Sequence, residues 1–220
     1  MTPRQVDSAR ILGTPVPLLL PAVGAVHVLV VGEAPGPRGA DKSGVPFFGD
    51  AAGRHLYTAL QRLNAITLPP EVDRMDWDGA AFTAAGLAPL AHGVALGNAY
   101  DRCPSDDGQR FRAPNRSELE SPRNFARLNR DLDQLTARGL KGIVTLGRVA
   151  ARTIEVLLAQ TPRPHLVRCA LVHPSAQGLL SMAPDRGKGA KMADLQEAWM
   201  ERCQYGVRQA GYPAHAGELA

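Results

Sequence analysis

A chain of 220 residues with 25 Lys and Arg against 21 Asp and Glu carries a formal charge of +4, which permits a nucleic-acid partner without requiring one. Its 45% hydrophobic content excludes a disordered chain, and the 5% aromatic content leaves the core mostly to Leu, Val and Ala. Three scattered cysteines without a CxxC pair argue against a secreted disulfide framework, no apolar run approaches the roughly 18 residues of a membrane span, and prolines break the N-terminal apolar run, so a cytoplasmic chain is expected.

Four short apolar runs read as buried parallel strands in chain order: Val28–Val31, Val94–Asn98, Gly142–Leu146 and Leu166–Val172. Between and after them lie four stripes with helical period. Leu56, Leu60 and Leu63 follow Asp50, a candidate cap. Phe125, Leu128, Leu132 and Leu135 follow Ser121 as cap and Pro122 at the first helical position. Ala150, Ile154, Leu157 and Leu158 form the third stripe, and Met192, Leu195, Trp199 and Cys203 the fourth. Strands alternating with helices predict an α/β chain: a three-layer αβα sandwich around a four-stranded parallel sheet, forming one domain over 1–220.

The segments 32–50, 99–120 and 173–190 exceed the connections of about 2–6 residues usual in such folds. Each follows a strand, so all three gather at one sheet edge, the usual place for a site. The first, Gly32-Glu33-Ala34-Pro35-Gly36 onward, has glycines that let backbone N–H groups approach oxygen atoms. Within it Phe47 and Phe48 either stack on a planar ligand such as a nucleobase or plug the loop onto the core. Asn98 ends the second strand, where its amide either reads the edge of a base or tethers the following turn. His173, before Pro174 and Ser175, either hydrogen-bonds a developing anion or serves the structure. The arrival of Glu33, Asn98 and His173 at three strand ends favours a shared site.

These segments resemble one family. GEAPG at 32–36, then DKSG, PF.G and AG through Gly53, Ala85-Gly86-Leu87, the Asn98 strand, Leu146 to Ala150, and His173-Pro174-Ser175 are similar in order and spacing to the uracil-DNA glycosylase superfamily, and most to its thermophile-type class. The resemblance covers about residues 26–205, the core of the domain, and implies a uracil-DNA glycosylase that flips uracil from single- or double-stranded DNA and hydrolyses its N-glycosidic bond. It also implies roles. Backbone at Gly32 to Ala34 binds a uracil oxygen, Phe47 stacks on the base, Asn98 reads its Watson–Crick edge, and His173 holds the leaving anion. Glu33 or Asp41 orients the water. Pro174, Ser175, Gln177, Leu179 and Leu180 belong to a loop that probes the minor groove, with Leu179 or Leu180 as a wedge, and Ser43 and Ser175 pin phosphates.

The chain also departs from the pattern. The thermophile-type class binds a [4Fe–4S] cluster through four cysteines, whereas Cys103, Cys169 and Cys203 supply only three scattered thiols. No cofactor and no metal are therefore expected, and the six His residues show no HExxH spacing. Arg102, Arg110, Arg112 and Arg116 beside Asp101, Asp106 and Asp107 either form ion pairs or face DNA. Ala34 replaces the catalytic Asp of the best-known class, and the loop from Gly36 to Phe47 is one residue longer than usual. A monomer is expected. The competing readings are a non-catalytic DNA-binding member of the same fold and, more weakly, another nucleotide-binding α/β protein, for which Arg186-Gly187-Lys188-Gly189 lacks the phosphate-loop pattern. That basic stretch reads instead as a loop touching phosphates or as a solvated loop.

Overall fold

The computed structural model describes residues 10–184 and 189–213. Its centre is an all-parallel sheet of four strands in the order β4-β1-β5-β6, with β1 at Val28–Gly32, β4 at Val94–Asn98, β5 at Gly142–Leu146 and β6 at Val167–Leu171. A two-stranded antiparallel pair, β2 (Ile66–Thr67) and β3 (Leu90–Ala91), stands apart. The helices are α1 (Ala40–Ser43), α2 (Ala51–Gln61), α3 (Gly79–Ala84), α4 (Arg116–Leu119), α5 (Pro122–Ala137), α6 (Arg148–Gln160), α7 (Ala176–Leu180) and α8 (Met192–Gln209). No described helix is long and apolar enough to cross a membrane.

Strand alternation divides the core into two layers. Val28 and Val30 of β1 face a cluster built with Leu56 and Leu60 of α2 and Trp199 and Cys203 of α8. Leu29 and Val31 face the other way, against Leu128, Leu132 and Leu135 of α5 and Ile154 and Leu157 of α6. The helical stripes legible in the sequence thus cover both faces of the sheet, the αβα arrangement expected from strand–helix alternation. Ser121 caps α5 by accepting the Asn124 N–H at 3.2 Å.

Two features differ from the sequence reading. The last strand is not buried: Val167 is 48% exposed and Arg168 and Ala170 are also open, because β6 is the sheet's edge, paired with β5 alone. Cys169 is accordingly only partly buried, packed against the core margin. Asp50 precedes α2 as foreseen, yet its carboxylate makes no capping bond to that helix. Beyond both readings, residues 11–19 form a strap across the sheet's other edge, where Leu19 bridges Leu96 and Val16 N–H donates to the Asp101 carbonyl at 2.7 Å.

Candidate active site

A cavity of about 720 Å³ opens where the loops after β1 and β6 meet the start of α2, within the range of about 300–1,000 Å³ usual for ligand sites. Glu33, Ala34 and Gly36 line it from β1, and His173, Pro174, Ser175 and Gln177 from the loop after β6. Phe47, Asp50 and His55 close one wall.

His173 is positioned by small neighbours. A Cβ on Gly178 would fall 1.9 Å from the His173 carbonyl, so only glycine lets the first turn of α7 fold back against it. The indole N–H of Trp199 donates to the Val172 carbonyl at 2.9 Å and fixes the preceding residue. The imidazole Nδ1 lies 3.2 Å from the Ser175 backbone N–H, which can only donate. That contact assigns the lone pair to Nδ1 and the proton of the neutral ring to Nε2. Burial lowers the His173 pKa, which keeps the ring in this neutral form.

The Gly-rich loop is held by Asp50. Its carboxylate accepts from Gly39 N–H at 3.0 Å, Ala40 N–H at 3.2 Å and Gly36 N–H at 3.3 Å. Burial raises its pKa, opposed by those three donors and reinforced by the Asp41 charge. Glu33 also has a raised pKa, from burial alone.

Phe47 and Phe48 divide the two roles the loop offered. Phe48 is the plug, fully buried and stacked on Phe82 at a centroid distance of 4.3 Å. Phe47 has a left-handed φ of 64° and lines the cavity. Its ring crowds Gly32, where a Cβ would lie 2.6 Å from the Phe47 Cε1 and 2.9 Å from the Asn98 Oδ1. Gly32 therefore allows Phe47 and Asn98 to be neighbours.

Asn98 is not among the residues that line the cavity; its side chain is buried, 4% exposed, and its Oδ1 and the Phe47 ring both crowd Gly32. Among the described residues neither its Oδ1 nor its Nδ2 has a hydrogen-bond partner. The turn after β4 is tethered by other groups, since Asn124 Nδ2 and Arg127 Nη2 donate to the Ala99 carbonyl at 2.8 and 2.9 Å. An unpaired buried amide costs about 1–3 kcal/mol, so turn tethering does not explain Asn98.

The remaining sequence candidates divide between the cavity and other places. Asp41 is buried, and its carboxylate accepts from Leu12 and Gly13 N–H, each at 2.8 Å, anchoring the N-terminal strap instead of facing the cavity. Ser43 donates within its own loop, to the Phe48 carbonyl at 2.8 Å. Leu179 borders the cavity but is 1% exposed and packed in the core, which leaves Leu180, half-buried, as the loop's remaining wedge candidate. Ser175 caps α7 through Gly178 N–H at 3.3 Å. Of the basic loop, Arg186, Gly187 and Lys188 lie outside the described residues. Sequence reasoning had passed over His55, Phe111, Met192 and Gln196 as cavity residues; only folding brings them to the site.

The whole arrangement coincides with a known family: the model of the Uracil DNA glycosylase superfamily matches residues 22–200. The chain belongs to that superfamily. A stretch of 50 residues is 43% identical to the type-5 uracil-DNA glycosylase of Mycobacterium leprae, spanning 23% of this chain and 22% of that protein. A solved structure of wild-type SMUG2 from Pedobacter heparinus aligns at a TM-score of 0.47 with 14% identity, covering 82% of this chain and 76% of the other.

This superfamily member does not offer the donor set of an iron–sulfur cluster. Cys169 and Cys203 lie in the layer of α8 and Cys103 in the loop after β4, and burial pushes the Cys103 and Cys203 thiols up to about 12. Among the described residues no three His, Cys, Asp or Glu side chains converge to hold a metal. The 101–120 segment is fastened by ion pairs instead. Arg112 grips Glu118 through two bonds of 2.7 Å and Asp106 through one of 2.8 Å, and Arg116 pairs with Glu120 at 2.9 Å.

The two roles open to Asp41 predict different outcomes. Asp41→Ala strands two backbone donors and frees the strap, so stability should fall by about 2–3 kcal/mol. Activity per folded molecule should stay within about threefold. Denaturant unfolding and a rate assay on the same sample check this; a large rate loss at unchanged stability would return Asp41 to the chemistry.

Proposed function

We propose that this superfamily member is a DNA glycosylase that excises uracil from DNA and leaves an abasic site. The observation that carries this reading is His173, whose Nδ1 accepts the Ser175 N–H and so leaves Nε2 as the donor of the neutral ring, in one cavity with Glu33 and Phe47. Membership of the superfamily supports DNA as the substrate.

Extruding a base costs a few kcal/mol, least for a mispaired or single-stranded one. In the proposed complex the flipped uracil enters beside Phe47, whose face it stacks on, and meets the unpaired Asn98 amide with its Watson–Crick edge. Backbone at Gly32 to Ala34 receives a uracil oxygen. The bond from C1′ to N1 then breaks with its electron pair going to the base, leaving an oxocarbenium-like sugar. His173 donates from Nε2 to the uracil oxygen on which negative charge develops, a contact stronger in the transition state than before it. Water adds to C1′ and passes its proton to the Glu33 carboxylate, and the departing uracil anion takes up a proton from solvent. We assign Glu33 to orient that water, because the Asp50 oxygens already hold three backbone donors and Asp41 faces the strap. Ser175, Gln177 and Leu180 are assigned to the DNA strand. No step requires a metal or a nucleotide.

A uracil-containing oligonucleotide incubated with the protein in excess chelator and then treated with alkali tests the reading. Strand cleavage at the uracil is expected. A stable complex that never yields an abasic site would overturn the glycosylase and leave a DNA-binding member of the fold.

A further inference from the structure

The cavity has one wall that none of the roles above uses. Phe111 reaches it from the loop after β4, and its side chain is 47% exposed. It belongs to neither core cluster, nor is it among the partly buried side chains packed against them. An exposed phenyl ring amid polar residues gains nothing from the fold, so its placement calls for another contact.

The backbone that carries the ring is tied down. Phe111 forms an antiparallel bridge with Ser105, and its neighbour Arg112 is locked by Glu118 and Asp106. Asp107 accepts from the N–H groups of Gln109 and Arg110, both at 2.8 Å, which closes the turn between the two bridge residues. Ile11 of the strap donates to the Gly108 carbonyl at 2.7 Å and ties the tip down. A ring carried on an ordered loop pays less conformational entropy on contact than one on a segment that must first order.

We propose that Phe111 is a second stacking platform, taking a base that flanks the flipped nucleotide on the same DNA strand. The inference rests on the reading of the cavity as a site for an extruded base. The neighbouring nucleotides must leave a mouth whose rim carries this ring, and every base has a face that an aromatic side chain can cover. The contact selects no sequence. It favours single-stranded or distorted DNA, in which flanking bases are free to stack on protein.

A binding cycle tests it with the full chain and a fluorescein-labelled single strand bearing 2′-fluoro-deoxyuridine, which binds without being cut. Two further strands carry a tetrahydrofuran in place of the base on one flank or the other. Phe111→Ala should weaken binding of the intact strand about tenfold, as expected for loss of one base stack. One of the two flank deletions should weaken the unsubstituted protein equally and the variant no further, a non-additivity that reports direct contact. Phe111→Trp should restore binding. Equal affinity of Phe111→Ala and the unsubstituted protein, or fully additive losses at both flanks, would overturn the platform. Cleavage of ordinary uracil strands is scored separately. If the unsubstituted protein binds the probe but releases no uracil, the glycosylase reading alone fails; if it does not bind the probe, both fail.

Discussion

His173→Ala is expected to lower the single-turnover rate of uracil release by about 10²- to 10³-fold, the loss typical for removal of one donor to a developing anion. Binding of a non-cleavable uracil strand should change by no more than a few-fold, since the donor acts chiefly on charge absent from the ground state. The pH profile sharpens the test. Protonation would place a second proton on Nδ1, facing the Ser175 N–H that now donates to it. Acidification should therefore disrupt the loop, but only at low pH, because burial lowers the pKa from its usual value near 6.5. The acid limb that belongs to His173 should lie below that of an ordinary imidazole, while Glu33, whose pKa burial raises, adds a limb of its own that His173→Gln should leave in place. Disappearance of the whole acid limb in His173→Gln, centred at the ordinary imidazole value, would mean the ring titrates freely and is not held as described. Gln at 173 keeps a donor and should recover part of the loss, which a merely structural histidine would not allow.

The loop around His173 also shows how far the sequence could be read. The sheet strands and the helices α2, α5, α6 and α8 were legible because each carries a short, largely apolar run or a stripe of helical period, and burial follows that pattern except along the edge strand β6, where Arg168 interrupts the run. The gathering of the first and third loops at one sheet edge followed from the strands being parallel. What the pattern could not supply was the partner of each polar group. Asp41 and Asp50 look alike in sequence, yet one carboxylate meets the strap and the other the Gly-rich loop. The strap pairs residues 29 positions apart, and no local signal encodes such a contact. Leu179 and Leu180 are adjacent in a short helix, so the turn sends one inward and leaves the other at the margin. Phe111 has no periodic context, and its place on the cavity wall depends on the Arg112 clamp.

Asn98 separates function from stability most cleanly. Its amide is buried with neither oxygen nor nitrogen satisfied, so the folded protein already bears the cost of those unmade bonds. Asn98→Ala removes the unpaired groups and should leave stability unchanged or slightly raised, offset only by the small space vacated beside Gly32. A residue kept for the fold would behave in the opposite way. The same substitution should lower uracil release by about 100-fold, because the base edge then enters a buried site with nothing to pair with. Asn98→Asp should be worse for both properties: it buries a carboxylate beside the Phe47 ring, with no donor at hand. Equilibrium unfolding and single-turnover cleavage on the same three proteins decide the matter. If Asn98→Ala lost stability in step with activity, the amide would be a structural group whose partners form only in solution, and base recognition would have to be sought on the Glu33 side of the cavity.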